Sequence, residues 1–196
     1  MTRRRLLSRA DILPIEDYAR ERREHRRRIS ALKRNRRVEL GPFCTFYFES
    51  FDTMWHQVHE MLYIERGGEA QIADELDAYN PLIPAGDELV ATVMFEIDEP
   101  VQRENALARL GGVENHAFLA LAGERIAGAA DPTRENSTSD GKASSVQFLR
   151  FPFTSPQKTA FRQLGARVVI GIDHPHYGHM AVMPEAVRAA LAEDLS

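Results

Sequence analysis

One stretch of the sequence constrains the fold more than any other. Between Glu88 and Asp98 the side chains of Leu89, Val90, Ala91, Val93, Met94 and Phe95 leave neither alternating face polar. A strand that is apolar on both sides has to lie between other strands, with both faces of its sheet covered. The pattern predicts a central strand over 88–98, ended by Glu96, Asp98 and Glu99 and by Pro100. A chain of 196 residues can build the layers needed to cover it. At that size roughly 70% of the unfolded surface is hidden on folding, and no disulfide or metal is needed as a staple.

The elements around this strand follow from their own signals. Helix 100–110 is closed by Gly111-Gly112, and strands 114–121 and 124–130 face each other across Ala122-Gly123. The same strand–helix–strand–strand order recurs from Val146-Gln-Phe-Leu-Arg-Phe. There Thr154 or Ser155 caps a helix, Val168-Val-Ile-Gly-Ile forms a strand, and another strand runs from His179 to Met183. This gives a pseudo-repeat over 88–130 and 145–183, with the polar segment 131–143 as linker. Upstream, Phe43 to Glu49 is strand-like. A helix from Asp52 to Arg66 has Met54, Val58, Met61 and Leu62 as its core face, with Trp55 on its shoulder. Gly67-Gly68 separates it from a second helix, Glu69 to Tyr79, and Pro184 opens a last one, Glu185 to Leu195. The expected fold is α+β: a mostly antiparallel sheet with helices largely on one face, preceded by a long basic N-terminal helix. The expected division is a basic helical extension over 1–41 and an α+β body over 42–196.

Charge is divided along the chain as sharply as hydrophobicity. Residues 1–37 hold 14 Lys+Arg against 5 Asp+Glu, whereas the rest holds 11 against 24. Pro14 suits a first helical position, and Glu16 and Asp17 favour the positive end of a helix running to residue 37. Its apolar stripe is thin (Ile15, Tyr18, Ile29, Leu32), with an arginine-rich gap between. Arg22, Arg23, Arg26, Arg27, Arg28, Lys33, Arg34, Arg36 and Arg37 are therefore candidate partner-binding residues, for an acidic protein or for a second copy of the chain. Nucleic acid is the alternative ligand for such a face. The net charge of −4 and the absence of aromatic residues among the arginines argue against it.

The arginines at residues 3–5 resemble the start of an export signal. Asp11, Glu16 and Asp17 stand where such a signal requires a run of apolar residues. With a lone Cys44 and no apolar stretch of membrane-spanning length, the expectation is a cytoplasmic protein without a membrane span.

Histidine supplies the other candidate site. His174, His176 and His179 fall within six residues, and His56 and His59 lie one turn apart on a helix. Neutral imidazole suits zinc or iron, so these five are candidate metal ligands if the two sets meet. The order His-x-x-His-Glu is not the His-Glu-x-x-His of a metalloprotease. The plainer alternative is a hairpin tip and a helix margin, with Asp173 orienting His174. No nucleophile elbow, phosphate loop or dinucleotide fingerprint occurs. Cys44 in its aromatic strand reads as structural, and Glu96, Asp98 and Glu99 read as a solvated strand end or as paired acid–base carboxylates. No reaction type is indicated.

Read whole, the chain resembles the bacterial family called domain of unknown function 3501. The resemblance is carried by Asp11-Ile-Leu-Pro-Ile-Glu-Asp-Tyr, by Arg27 to Gly41, and by Phe48-Glu-Ser-Phe-Asp-Thr-Met-Trp-His-Gln-Val-His-Glu-Met-Leu. Tyr79-Asn-Pro-Leu-Ile-Pro, Ala91-Thr-Val-Met-Phe-Glu-Ile, Val146 to Phe151 and Asp173-His-Pro-His-Tyr continue it. It implies a role beside rubrerythrin-like or iron–sulfur redox proteins and supplies no activity. His176 and His179 lie outside the family pattern Asp173-His174-Pro175-x-Tyr177, so the resemblance carries no metal role for them. The function expected is that of a non-catalytic cytoplasmic accessory protein that binds a redox-protein partner. The alternatives are a histidine-based metal-binding protein or metalloenzyme, and a nucleic-acid binder.

Overall fold

The computed structural model describes residues 6–131, 137 and 141–196. Most of the linker expected over 131–143, and the arginines at residues 3–5, lie outside them. In chain order the elements are α1 (Ile15–Arg34), β1 (Arg37–Leu40), β2 (Cys44–Phe48), α2 (Phe51–Glu65), α3 (Glu69–Tyr79), β3 (Glu88–Phe95), α4 (Pro100–Arg109), β4 (Ala117–Leu121), β5 (Glu124–Ala127), β6 (Ala129–Ala130), β7 (Val146–Pro152), α5 (Ser155–Arg162), β8 (Val168–His174), β9 (Tyr177–Val182) and α6 (Glu185–Ala192).

The apolar run becomes β3 and sits at the middle of a five-stranded antiparallel sheet ordered β1–β2–β3–β7–β6. Its two faces serve two cores. Leu89, Ala91, Val93 and Phe95 point into the main core, while Val90 points to the other side, beneath Met54, Val58 and Leu62 of α2 and Ile72 of α3. Alternation along a strand thus accounts for the missing polar face. A second antiparallel sheet, β5–β4–β8–β9, covers the inner side of the first. Between them Phe46, Leu119, Phe151 and Ile170 are fully buried. Helices α4, α5 and α6 add Leu107, Phe161 and Leu191 to the same core, and α1–α3 form the outer layer.

The two sheets are joined along both margins. The strand leaving the second sheet as β5 enters the first as β6, turning at Gly128, whose N–H donates to the Ala117 carbonyl at 2.8 Å. A Cβ there would stand 3.0 Å from the Phe151 ring and 3.1 Å from that carbonyl, so a glycine fits the corner. At the other margin β9 lies against β1. The order β3-α4-β4-β5 is followed by β7-α5-β8-β9, with β3 paired to β7 and β4 to β8.

The first helix is shorter than its charge pattern suggests. It ends at Arg34, and Arg37–Leu40 pairs with β2 as an edge strand, alternately exposed and buried. Val38 and Leu40 point into the core, which makes strand pairing more favourable there than another helical turn. Arg36 and Arg37 consequently do not belong to the helix.

Candidate functional site

The inner stripe of α1 is polar as well as apolar. Tyr18, Arg22, His25 and Ile29 recur at helical spacing and face Trp55, His59, Glu60 and Tyr63 of α2. The Tyr18 hydroxyl donates to Glu60 Oε1 at 2.7 Å. Arg22 grips the same carboxylate with two bonds, Nε to Oε1 at 2.8 Å and Nη2 to Oε2 at 2.7 Å, while its guanidinium lies 4.5 Å from the centre of the Tyr63 ring. This fork geometry fixes the rotation of α1 on α2 as well as its position. The Tyr18 ring stacks on His25 at 5.3 Å and meets Trp55 edge-on.

The segment before α1 is held by the same helix. Trp55 Nε1 donates to the Asp11 carbonyl, and the Leu13 N–H donates to His59 Nε2 at 3.0 Å. His59 Nδ1 lies 2.7 Å from the Trp55 carbonyl. With Nε2 accepting, Nδ1 must carry the proton, so His59 is a neutral imidazole tied at both ends to backbone.

Electrostatics at this interface favour the docked state only above mildly acidic pH. Burial raises the Tyr18 hydroxyl. Burial also tends to raise Glu60, but the bonds from Arg22 and Tyr18 outweigh it and bring that carboxyl down to about 2. Burial lowers His56 to about 4; Glu60 opposes this, while Lys33, Arg26 and His25 reinforce it. His59 is lowered by burial too, against the pull of the Trp55 carbonyl. Because the folded pKa values of both histidines lie below 6.5, the unfolded chain takes up protons first as pH falls. Stability is intact above about pH 6.5 and declines toward pH 4, by up to about 1.4 kcal/mol per pH unit for each proton. Loss of the Glu60 contribution follows below about pH 4.5. Urea midpoints compared at about pH 7.5 and about pH 4.5 are expected to fall in the parent and to fall less in His56→Gln; equal slopes would contradict this assignment.

The flank of α1 beside this contact is built differently. Arg22, Arg23, Arg26 and Arg27 line an open cleft of about 520 Å³, closed on one side by Ala19 and Tyr63. Arg23 and Arg26 are exposed, and neither has a carboxylate within ion-pair distance among the described residues. Arg27 meets Glu24 at 2.8 Å with both side chains solvated, a pair that contributes little. Arg28 lies 3.5 Å from Asp52 and 5.8 Å from the centre of the Trp55 ring. Lys33 is half-buried, whereas Arg34 and Arg37 are exposed.

Arg36 is a correction to the expected set. It is 5% exposed, donates to the carbonyls of Phe48 and Glu49, and pairs with Asp194. It ties the start of the sheet to the C-terminal segment and has no surface to offer a partner.

The two sets of candidate metal ligands do not form one cluster: the rings of His174 and His176 lie 5.8 Å apart, with His116 5.0 Å from His174, while His56 and His59 belong to α2. His174 faces the Gly111 carbonyl through Nε2 at 3.3 Å and accepts from the His176 N–H through Nδ1 at 3.2 Å. His176 is exposed near Arg109, while His179 packs on Tyr177 and against Gly41. Asp173 does not orient His174, because it bonds to His116 and Arg125. His56 and His59 are on α2, among the side chains of α1. Among the described residues no group of three or more His, Cys, Asp or Glu is placed to hold a metal ion.

The carboxylates after β3 also have structural roles. Glu96 accepts from Thr45 and Tyr47, and Glu99 caps α4 through the N–H groups of Val101 and Gln102. Burial raises the Cys44 thiol, consistent with a structural residue. The roles of His25, Glu60 and Tyr63 in this contact were not assigned from the sequence. Their signal was the spacing of His25 and Arg22 from Tyr18 and Ile29 on one helix face.

Among the described residues no helix is long and apolar enough to cross a membrane. Comparison with curated proteins finds no match. A crystal structure of a protein of unknown function from Burkholderia pseudomallei K96243 has 40% sequence identity and a TM-score of 0.90, covering 97% of this chain and 99% of that one. The family model described as "Protein of unknown function (DUF3501)" matches residues 6–195. Matched over almost its whole length, the chain belongs to that family.

Proposed function

We propose that this is a non-catalytic, cytoplasmic accessory protein that captures an acidic partner protein on the arginine-lined flank of α1, beside α2. One observation carries the reading. Arg23 and Arg26 stand exposed beside Arg22 and Arg27 around an open cleft, and neither is neutralised by a carboxylate among the described residues. Unpaired guanidinium groups held on a rigid helix attract carboxylates from a distance and recognise them in fork geometry on contact. The helix itself is anchored on α2 by Tyr18 and by Arg22 at the cleft's edge, so the charged flank is presented in a fixed orientation. The redox proteins implied by the family resemblance are the first partners to examine, together with a second copy of the chain.

The test is affinity capture by the full chain at native expression, followed by reassembly with the purified partner. Reversal of Arg23, Arg26 and Arg27 to glutamate is expected to raise the Kd about tenfold or more. Binding by the parent is expected to weaken steeply as salt rises. A complex indifferent to both changes would overturn the proposal.

A further inference from the structure

Beside the arginine cleft runs an apolar groove of about 430 Å³ between the first turns of α1, the last turns of α2 and the start of α3. Leu13, Ile15, Leu62 and Ile72 form its apolar walls, and Ala19 and Tyr63 line both the groove and the cleft. Leu62 and Ile72 are buried at its floor, whereas Leu13 is 36% exposed at the rim. The two compartments form one continuous track along α1, apolar at Ile15 and cationic at Arg23 and Arg26. At 1.5 Å per residue the charged stretch begins about 12 Å beyond the apolar one and reaches about 16 Å.

We infer that this track is the seat of an acidic amphipathic helix of the partner. A bulky apolar side chain would enter between Leu13, Ile15, Leu62 and Ile72, and carboxylates two to three turns further along would reach Arg23 and Arg26. The inference rests on the acidic-partner reading above and adds the docking element and its anchor. Charge complementarity selects the occupant: Arg9 and Glu69, which pair with each other, and Glu16 and Arg66 line the groove itself, whereas past Ala19 and Tyr63 it opens into a cleft lined by the guanidinium groups of Arg22, Arg23, Arg26 and Arg27. Its walls are helices, and an apolar stripe laid between two helices is the contact that an amphipathic helix makes. A nucleic-acid backbone has no apolar group with which to fill the floor, and no strand borders the groove to accept an added strand.

The experiment uses the full chain and a fluorescein-labelled synthetic helical peptide with a leucine stripe flanked by glutamates, read by anisotropy. The expected result is saturable binding at one peptide per chain. Leu13→Gln with Ile15→Gln should weaken it about tenfold at every salt concentration, as expected for loss of an apolar anchor. Arg23→Glu with Arg26→Glu should weaken it as much and flatten its salt dependence. Circular dichroism and thermal midpoints matching the parent show that the variants remain folded. Absence of binding, or equal binding by a peptide with serine for leucine, overturns the groove assignment and leaves the acidic-partner reading standing. Equal binding by a peptide with lysine for glutamate overturns both. Tighter binding of an oligothymidylate, unaffected by the groove variant, would replace the helix with nucleic acid as the occupant.

Discussion

Replacement of Arg36 by leucine is expected to destabilise the protein by about 3–5 kcal/mol. The guanidinium is 5% exposed and holds three groups at once. Nε donates to the Phe48 carbonyl at 3.0 Å, and Nη2 donates to the Glu49 carbonyl at 2.7 Å and pairs with the Asp194 carboxylate. Asp194 is itself 8% exposed, so removing Arg36 takes away the cation that faces a buried anion and strips two carbonyls of a donor. Urea unfolding provides the measurement. Adding Asp194→Asn to Arg36→Leu should recover part of the loss, because the anion is then gone as well. A single variant within about 1 kcal/mol of the parent would show that the pair contributes nothing and that the C-terminal segment is held by apolar packing alone.

The second large effect concerns the anchor of α1. Tyr18 is fully buried, stacks on His25 and donates to Glu60. Tyr18→Ala is expected to cost about 3–5 kcal/mol, through lost burial and the cavity left between the helices. Tyr18→Phe keeps the ring and removes one bond to a charged acceptor, an expected cost of about 1.5–3 kcal/mol. Hydrogen exchange distinguishes loss of the whole fold from release of the helix. Amides of α1 should exchange first in Tyr18→Ala while those of β3 and β7 remain protected. Uniform exchange across both would mean that α1 and the sheets unfold as one unit. Unchanged protection of α1 would mean that Tyr18 does not anchor it.

Much of the fold was legible because single elements declare themselves. The double-sided apolar run of β3, the pair Gly67-Gly68 between α2 and α3, and the Thr154 cap of α5 each have a local cause. The division of the strands into two sheets has none. β5 and β6 read as one strand, and only the crowding of Gly128 by Phe151 and Ala117 shows why it turns. β1 was hidden among arginines because four residues alternating exposed and buried make a weak signal beside a strongly charged helix. The candidate site was legible in composition and not in direction. All of the arginines stood out, but sequence alone could not show that Arg22 turns toward Glu60, that Arg36 enters the interior, or that Arg23 and Arg26 stay in solvent. The histidines divide in the same way: the rings of His174 and His176 lie 5.8 Å apart, whereas His179 turns to Tyr177 and Gly41, which closeness in sequence does not reveal.

Because β5 continues into β6 across the corner and β9 lies against β1, the outermost strands of each sheet are flanked by the other. Among the described residues no backbone ladder joins β1 to β9, and Met180 and Val182 of β9 are 71% and 54% exposed, so this margin is where an added strand would zip on.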